Sequence, residues 1–132
     1  MLIHIDLQSD VPIYVQLSNQ IIEGIASGKL KPGETLPSVR SLAADLGINL
    51  HTVNKAYTHL KQEGYIQIHR QKGALVHPQP MPEADESFFR KLEDKLRPLV
   101  AESICRRVDE SRFLELCRHL YQQFDEKGEI VK

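Results

Sequence analysis

Residues 36–64 read LPSVRSLAADLGINLHTVNKAYTHLKQEG, and this stretch decides the fold. It divides into two helices around a tight turn. Ser38 is placed to cap the first helix, and Pro37 before it disfavours an earlier start. Leu42, Ala43 and Leu46 give that helix an apolar face. Gly47 ends it, because glycine takes the left-handed conformation without steric cost. Asn49 is placed to cap the second helix and Gly64 to close it. Val53, Ala56, Tyr57 and Leu60 fall at i, i+3, i+4 and i+7, so Tyr57 is expected in the core. His51, Lys55, Thr58 and Gln62 fall on the far side with Asn54 at the flank, an uncharged or basic polar face. A core face opposite a face of hydrogen-bonding groups is what a helix-turn-helix needs to read base edges.

Working upstream, Ile13, Leu17, Ile21, Ile22 and Ile25 predict a helix ended by Gly28, with Ser9 or Asp10 as its cap and Pro12 near its first turn. The loosely alternating Leu2, Ile3, Ile5 and Leu7 predict a short strand or extended arm. Lys29 to Thr35, with Pro32-Gly33, is a turn. Downstream, residues 65–69 alternate as a strand, residues 70–73 form a turn, and residues 74–77 return. A hairpin directly after the second helix is the wing of a winged helix. Its tip, with Arg70, Lys72 and Gly73, suits a phosphate backbone or a minor groove.

Proline at 78, 80 and 82 makes residues 78–82 an extended linker between a first domain, 1–77, and a second, 83–132. The second reads as two helices. Phe88, Phe89, Leu92, Leu96, Leu99, Val100 and Ile104 line the first, which Pro98 is expected to interrupt and kink. Asp109 is placed to cap the other, which carries Phe113, Leu114, Leu116, Cys117, Leu120, Tyr121 and Phe124 and is expected to fray near Gly128. Two helices alone cannot hide so many apolar groups, and a hairpin of this size is small for an independent core. A second copy of the chain is the expected cover, through Phe88, Phe89, Leu92, Leu96, Leu99, Ile104, Phe113, Leu116, Leu120 and Phe124. The fold class is thus mostly α with a small β-hairpin.

The chain has 132 residues, enough for one ordinary domain or a small domain with an appendage. It has no apolar run long enough to span a bilayer, and its start lacks the features of a signal peptide. Cys105 and Cys117, its two cysteines, suit reduced thiols in a cytoplasmic protein. The six histidines do not pair at metal-ligand spacing, and neither a cofactor nor a metal is implied. The net charge of −1 does not advertise a DNA binder. Residues 1–79 hold 7 Lys+Arg against 6 Asp+Glu, and residues 80–132 hold 10 against 12, so any electrostatic attraction must be local.

Four blocks carry a resemblance. They are Pro12-Ile13-Tyr14-x-Gln16-Leu17, Gly28-Lys29-Leu30-Lys31-Pro32-Gly33, Leu36-Pro37-Ser38-x-Arg40-x-Leu42-Ala43 and Thr52-Val53-x-x-Ala56-Tyr57-x-x-Leu60-x-x-Glu63-Gly64. Over residues 9–77 the chain resembles the GntR family of bacterial transcription regulators, and its short tail is similar to the YtrA-type subfamily. The resemblance implies a dimeric DNA-binding regulator, usually a repressor and often of transporter genes. Arg40 matches the arginine that contacts the operator in that family and can grip a guanine edge or a phosphate. Asn49, Leu50, His51 and Thr52 begin the reading helix, with Asn54 and Lys55 a turn further on. Ser38 can add a phosphate bond, and His69, Arg70, Lys72 and Gly73 form the wing. Many family members carry a basic residue near 50 or 54; Leu50 and Asn54 imply a different base preference.

Two other classes compete with this reading. A winged helix can serve protein contacts alone, which the near-zero charge would suit. Relatives exist in which such a domain precedes an aminotransferase-like one, but the fifty residues here cannot house an enzyme domain, and no catalytic constellation is visible. The expected partners are therefore a double-stranded DNA operator and a second copy of the chain, with no membrane. The sequence leaves open a small-molecule effector of unknown identity.

Overall fold

The computed structural model describes residues 2–127, so the fraying expected near Gly128 lies outside the described residues. The described chain divides into two compact units, residues 2–81 and 82–126.

In the first unit, α1 (Ile13–Ala26), α2 (Val39–Leu46) and α3 (Leu50–Gln62) are followed by the antiparallel strands β1 (Ile66–His69) and β2 (Gly73–Val76). Their register pairs Ile66 with Val76 and His69 with Gly73, so Gly73 belongs to the returning strand as well as to the turn. Local chemistry sets the helix ends. Ser38 Oγ accepts the Ser41 N–H at 3.0 Å, and Asn49 Oδ1 accepts the His51 N–H at 2.7 Å. Gly47, at φ 67°, makes the left-handed turn between α2 and α3.

The core lies where these elements meet. Leu17 and Ile21 of α1, Leu42 and Ala43 of α2, and Val53, Ala56, Tyr57 and Leu60 of α3 close over Leu30, Leu36, Ile66, Ala74 and Val76. Full burial of one such aliphatic or aromatic side chain contributes about 1.5–3 kcal/mol. Tyr57 also carries a hydroxyl into this interior, and that hydroxyl donates to the Pro37 carbonyl at 2.8 Å.

The structure corrects several expectations. The start of α1 is capped by neither Ser9 nor Asp10. Pro12 holds the N-cap position without a side-chain bond, while Ser9 Oγ accepts the Val11 N–H at 3.1 Å in the preceding turn. Residues 2–6 take the second of the two forms expected of them, an extended arm, and not a strand. They run as an arm along α1, where Gln20 exchanges hydrogen bonds with the His4 backbone and Gln16 with that of Asp6. The turn after α1 leads into a strip beside the wing. Thr35 bridges to Leu75, Leu36 N–H donates to Ala74 C=O at 2.8 Å, and Val76 N–H donates to Glu34 C=O at 2.8 Å.

The second unit contains α4 (Glu86–Cys105) and α5 (Glu110–Lys127). Asp85 caps α4 by accepting the Phe88 N–H at 2.9 Å, and Asp109 accepts the Arg112 N–H at 2.8 Å. Pro98 does not interrupt α4, which continues through it. Proline removes one helix N–H bond, but Pro98 and Asp94 are exposed, so water can serve the freed Asp94 carbonyl. Between the helices Arg107 takes φ 63°, a conformation that favours glycine.

Tyr57→Phe should lower stability by about 0.5–1.5 kcal/mol, the usual net value of one hydrogen bond. Burial raises the Tyr57 phenol from 10.0 to about 12. The folded chain therefore holds this proton more tightly than the unfolded one, so its contribution is complete below pH 10 and is lost as pH rises through about 12. Denaturant melts across this range should show a steeper alkaline loss for the parent than for Tyr57→Phe.

Candidate nucleic-acid interface

The interface begins with what the core leaves over. With Val53, Ala56, Tyr57 and Leu60 turned inward, α3 presents His51, Asn54, Lys55 and Thr58 to solvent. Leu50, at its first turn, is 39% exposed, an uncapped apolar surface beside polar groups. Thr52 is half-buried. Capping limits what two residues can offer. Asn49 Oδ1 is occupied by the His51 N–H, which leaves the amide N–H groups as free donors. Ser38 Oγ is likewise an acceptor inside its own turn, and its hydroxyl hydrogen can donate outward.

Arg40 stands exposed in the first turn of α2. Asp45, an acidic residue of the same helix, forms no ion pair with it. Arg97–Glu93 at 2.7 Å and Arg112–Glu115 at 3.7 Å are ion pairs of the second unit, and neither involves Arg40. Arg40, Arg70 and Lys72 thus keep their charges available. His69, Arg70, Lys72 and Gly73 are all exposed at the end of the wing, where φ 75° at Gly73 makes the tight reversal. All twelve residues expected to face nucleic acid belong to the first unit.

Lys55 is placed differently from a free surface lysine. Its Nζ lies over the Tyr14 ring, 4.1 Å from the centroid, so α1 contributes an aromatic platform beside α3. Sequence reasoning missed this residue. Tyr14 stands in a motif block, but no helical spacing relates it to Lys55.

The residues expected to join two copies all lie in the second unit. Phe88, Phe89, Leu92, Leu96, Leu99, Ile104, Leu116 and Leu120 are exposed, and Phe113 and Phe124 are half-buried. Phe88 and Phe89 meet edge to face, 6.0 Å between centroids. A groove lined by Leu96, Leu99, Phe113, Leu116 and Leu120 runs between the two helices. Cys105 is exposed, Cys117 half-buried, and both are free thiols. Among the described residues no cluster of His, Cys, Asp and Glu could hold a metal, and no helix is long and apolar enough to cross a membrane.

The arrangement is that of a winged helix-turn-helix regulator, and comparison with known proteins gives the family. Residues 13–76 match the bacterial regulatory proteins of the gntR family. The chain is 35% identical over 102 residues to the HTH-type transcriptional repressor YtrA of Bacillus subtilis (strain 168), covering 77% of this chain and 78% of that protein. Among solved structures, a transcriptional antiterminator from Listeria monocytogenes EGD-e is similar over 100% of this chain and 97% of its own, with TM-score 0.88 and 26% identity. YtrA from Sulfolobus acidocaldarius, a GntR-family transcription factor, covers 92% of this chain and 97% of its own with TM-score 0.55 and 37% identity. The DNA-binding domain of AraR, solved in complex with operator ORX1, covers 58% of this chain and 98% of its own with TM-score 0.51 and 25% identity. The chain belongs to the gntR family and is a DNA-binding transcription regulator.

Proposed function

We propose that this regulator is a repressor that binds an inverted-repeat operator as a homodimer, in the bacterial cytoplasm. The observation that carries the dimer is the row of large apolar side chains along α4 and α5. Leu99 is 51% exposed, Ile104 68% and Leu116 50%, although their spacing is that of a buried face. A second copy would bury these rows on a two-fold axis. The repressor sense follows YtrA of Bacillus subtilis, whose name describes a transcriptional repressor.

In this reading residues 1–77 contact DNA, 78–82 link, and 83–132 join the two copies. Asn49, Leu50, His51, Thr52, Asn54 and Lys55 face the major groove. The amide of Asn49 and the ring of His51 can bond base edges, and Leu50 can meet a thymine methyl. Ser38 and Arg40 approach from the start of α2. His69, Arg70, Lys72 and Gly73 lie along the phosphate backbone. Each head offers few base contacts and modest charge, so affinity depends on engaging two half-sites, about one helical turn apart.

Arg40→Ala should cost roughly 1–3 kcal/mol on an operator selected from random-sequence DNA by the parent protein, with the melting temperature unchanged. Equal binding by a folded variant would remove Arg40 from the interface.

Arg70→Ala combined with Lys72→Ala should weaken all sequences alike and reduce the salt slope by roughly one to two per head engaged. A change of preference at one base would instead make the wing a sequence reader.

Leu116→Glu places a charge in the exposed row and should yield a folded monomer whose operator affinity falls by roughly 10²–10⁴. Sedimentation alongside DNA titration tests both halves. A variant that stays dimeric would move the interface elsewhere, and a monomeric parent would end the dimer reading.

A further inference from the structure

We propose that Tyr14 is a positioning residue for DNA binding, its ring holding the Lys55 ammonium where it meets a phosphate. This rests on the reading of α3 as the DNA-facing helix. Lys55 Nζ lies 4.1 Å from the Tyr14 ring centroid, well within the range over which an aromatic face attracts a cation. Tyr14 is in the first turn of α1 and half-buried, so its ring is fixed by the fold, whereas Lys55 is exposed.

An exposed lysine is ordinarily free to sample many rotamers, and ordering it on a ligand costs entropy. The ring removes part of that freedom before DNA arrives. It occupies one side of the ammonium only. The three N–H donors remain able to reach a phosphate oxygen, because attraction to the ring face does not consume them as a carboxylate would. No ion pair with an acidic group holds Lys55 among the described residues, so DNA does not have to displace a competing anion. In a chain whose first 79 residues carry almost balanced charge, the placement of single cations matters more than their number.

The test is a double-mutant cycle on the full chain, with a mixed-sequence DNA duplex titrated across a salt series. Lys55→Ala should weaken binding and lower the salt slope by about one for each Lys55 engaged. Tyr14→Leu should weaken binding about two- to fivefold for each subunit engaged, the range expected of an exposed cation–π pair, and leave the slope at the parent value. Tyr14→Phe keeps the ring and should bind like the parent. In the Lys55→Ala background, Tyr14→Leu should have no further effect. Equal losses from Tyr14→Leu in both backgrounds would overturn the proposal while leaving Lys55 as a contact. An unchanged affinity and slope in Lys55→Ala would overturn that contact and the proposal with it. A second readout needs no substitution. The Lys55 methylene beside the ammonium should resonate upfield under the ring and stay there when duplex is added, and loss of that shift on binding would show the lysine leaving Tyr14.

Discussion

The hydroxyl of Tyr57 donates to the carbonyl of Pro37, and this bond ties α3 to the start of α2. Tyr57 belongs to α3, while Pro37 immediately precedes the Ser38 cap of α2. Within a fully packed interior a hydroxyl without a partner is costly, so the relation of the two helices that satisfies it is favoured over neighbouring ones. The same geometry turns Val53, Ala56 and Leu60 into the core and sends His51, Asn54 and Lys55 outward. Arg40, in the first turn of α2, and Asn49, at the start of α3, inherit their positions from it.

Much of this was legible in the sequence because its causes are local. Ser38 and Asn49 cap within three residues of themselves, Gly47 needs only its own backbone freedom, and the apolar stripe of α3 repeats along a single helix. The wing was legible for the same reason, since alternation and a turn are read over a dozen residues. Among the candidate contacts, residue type and helical phase identified the exposed face of α3 and the charges at the end of the wing.

What the sequence hid depends on distant partners or on solvent. The bridge of Thr35 to Leu75 joins segments with two helices between them, and no alternation marks a strand around Thr35. Gln16 and Gln20 imitate strand pairing with the arm through their side chains, which no backbone propensity encodes. The Tyr14 ring beneath Lys55 arises only once α1 is packed on α3. Pro98 misled because proline rules describe a lost bond, whereas an exposed helix can leave the freed carbonyl to water. The apolar rows of α4 and α5 were visible, but their cover belongs to another molecule in our reading. No arrangement within one chain reports it.

The central claim is that the face of α3 left over by the core, with the start of α2 and the wing, meets DNA while the second unit does not. An amide-resolved titration of labelled full-length protein with an operator duplex tests this directly. The account predicts the largest perturbations at Ser38, Arg40, residues 49–55 and residues 69–73, with α4 and α5 little changed beyond general broadening. Perturbations centred on α4 and α5, with residues 49–55 unmoved, would contradict it.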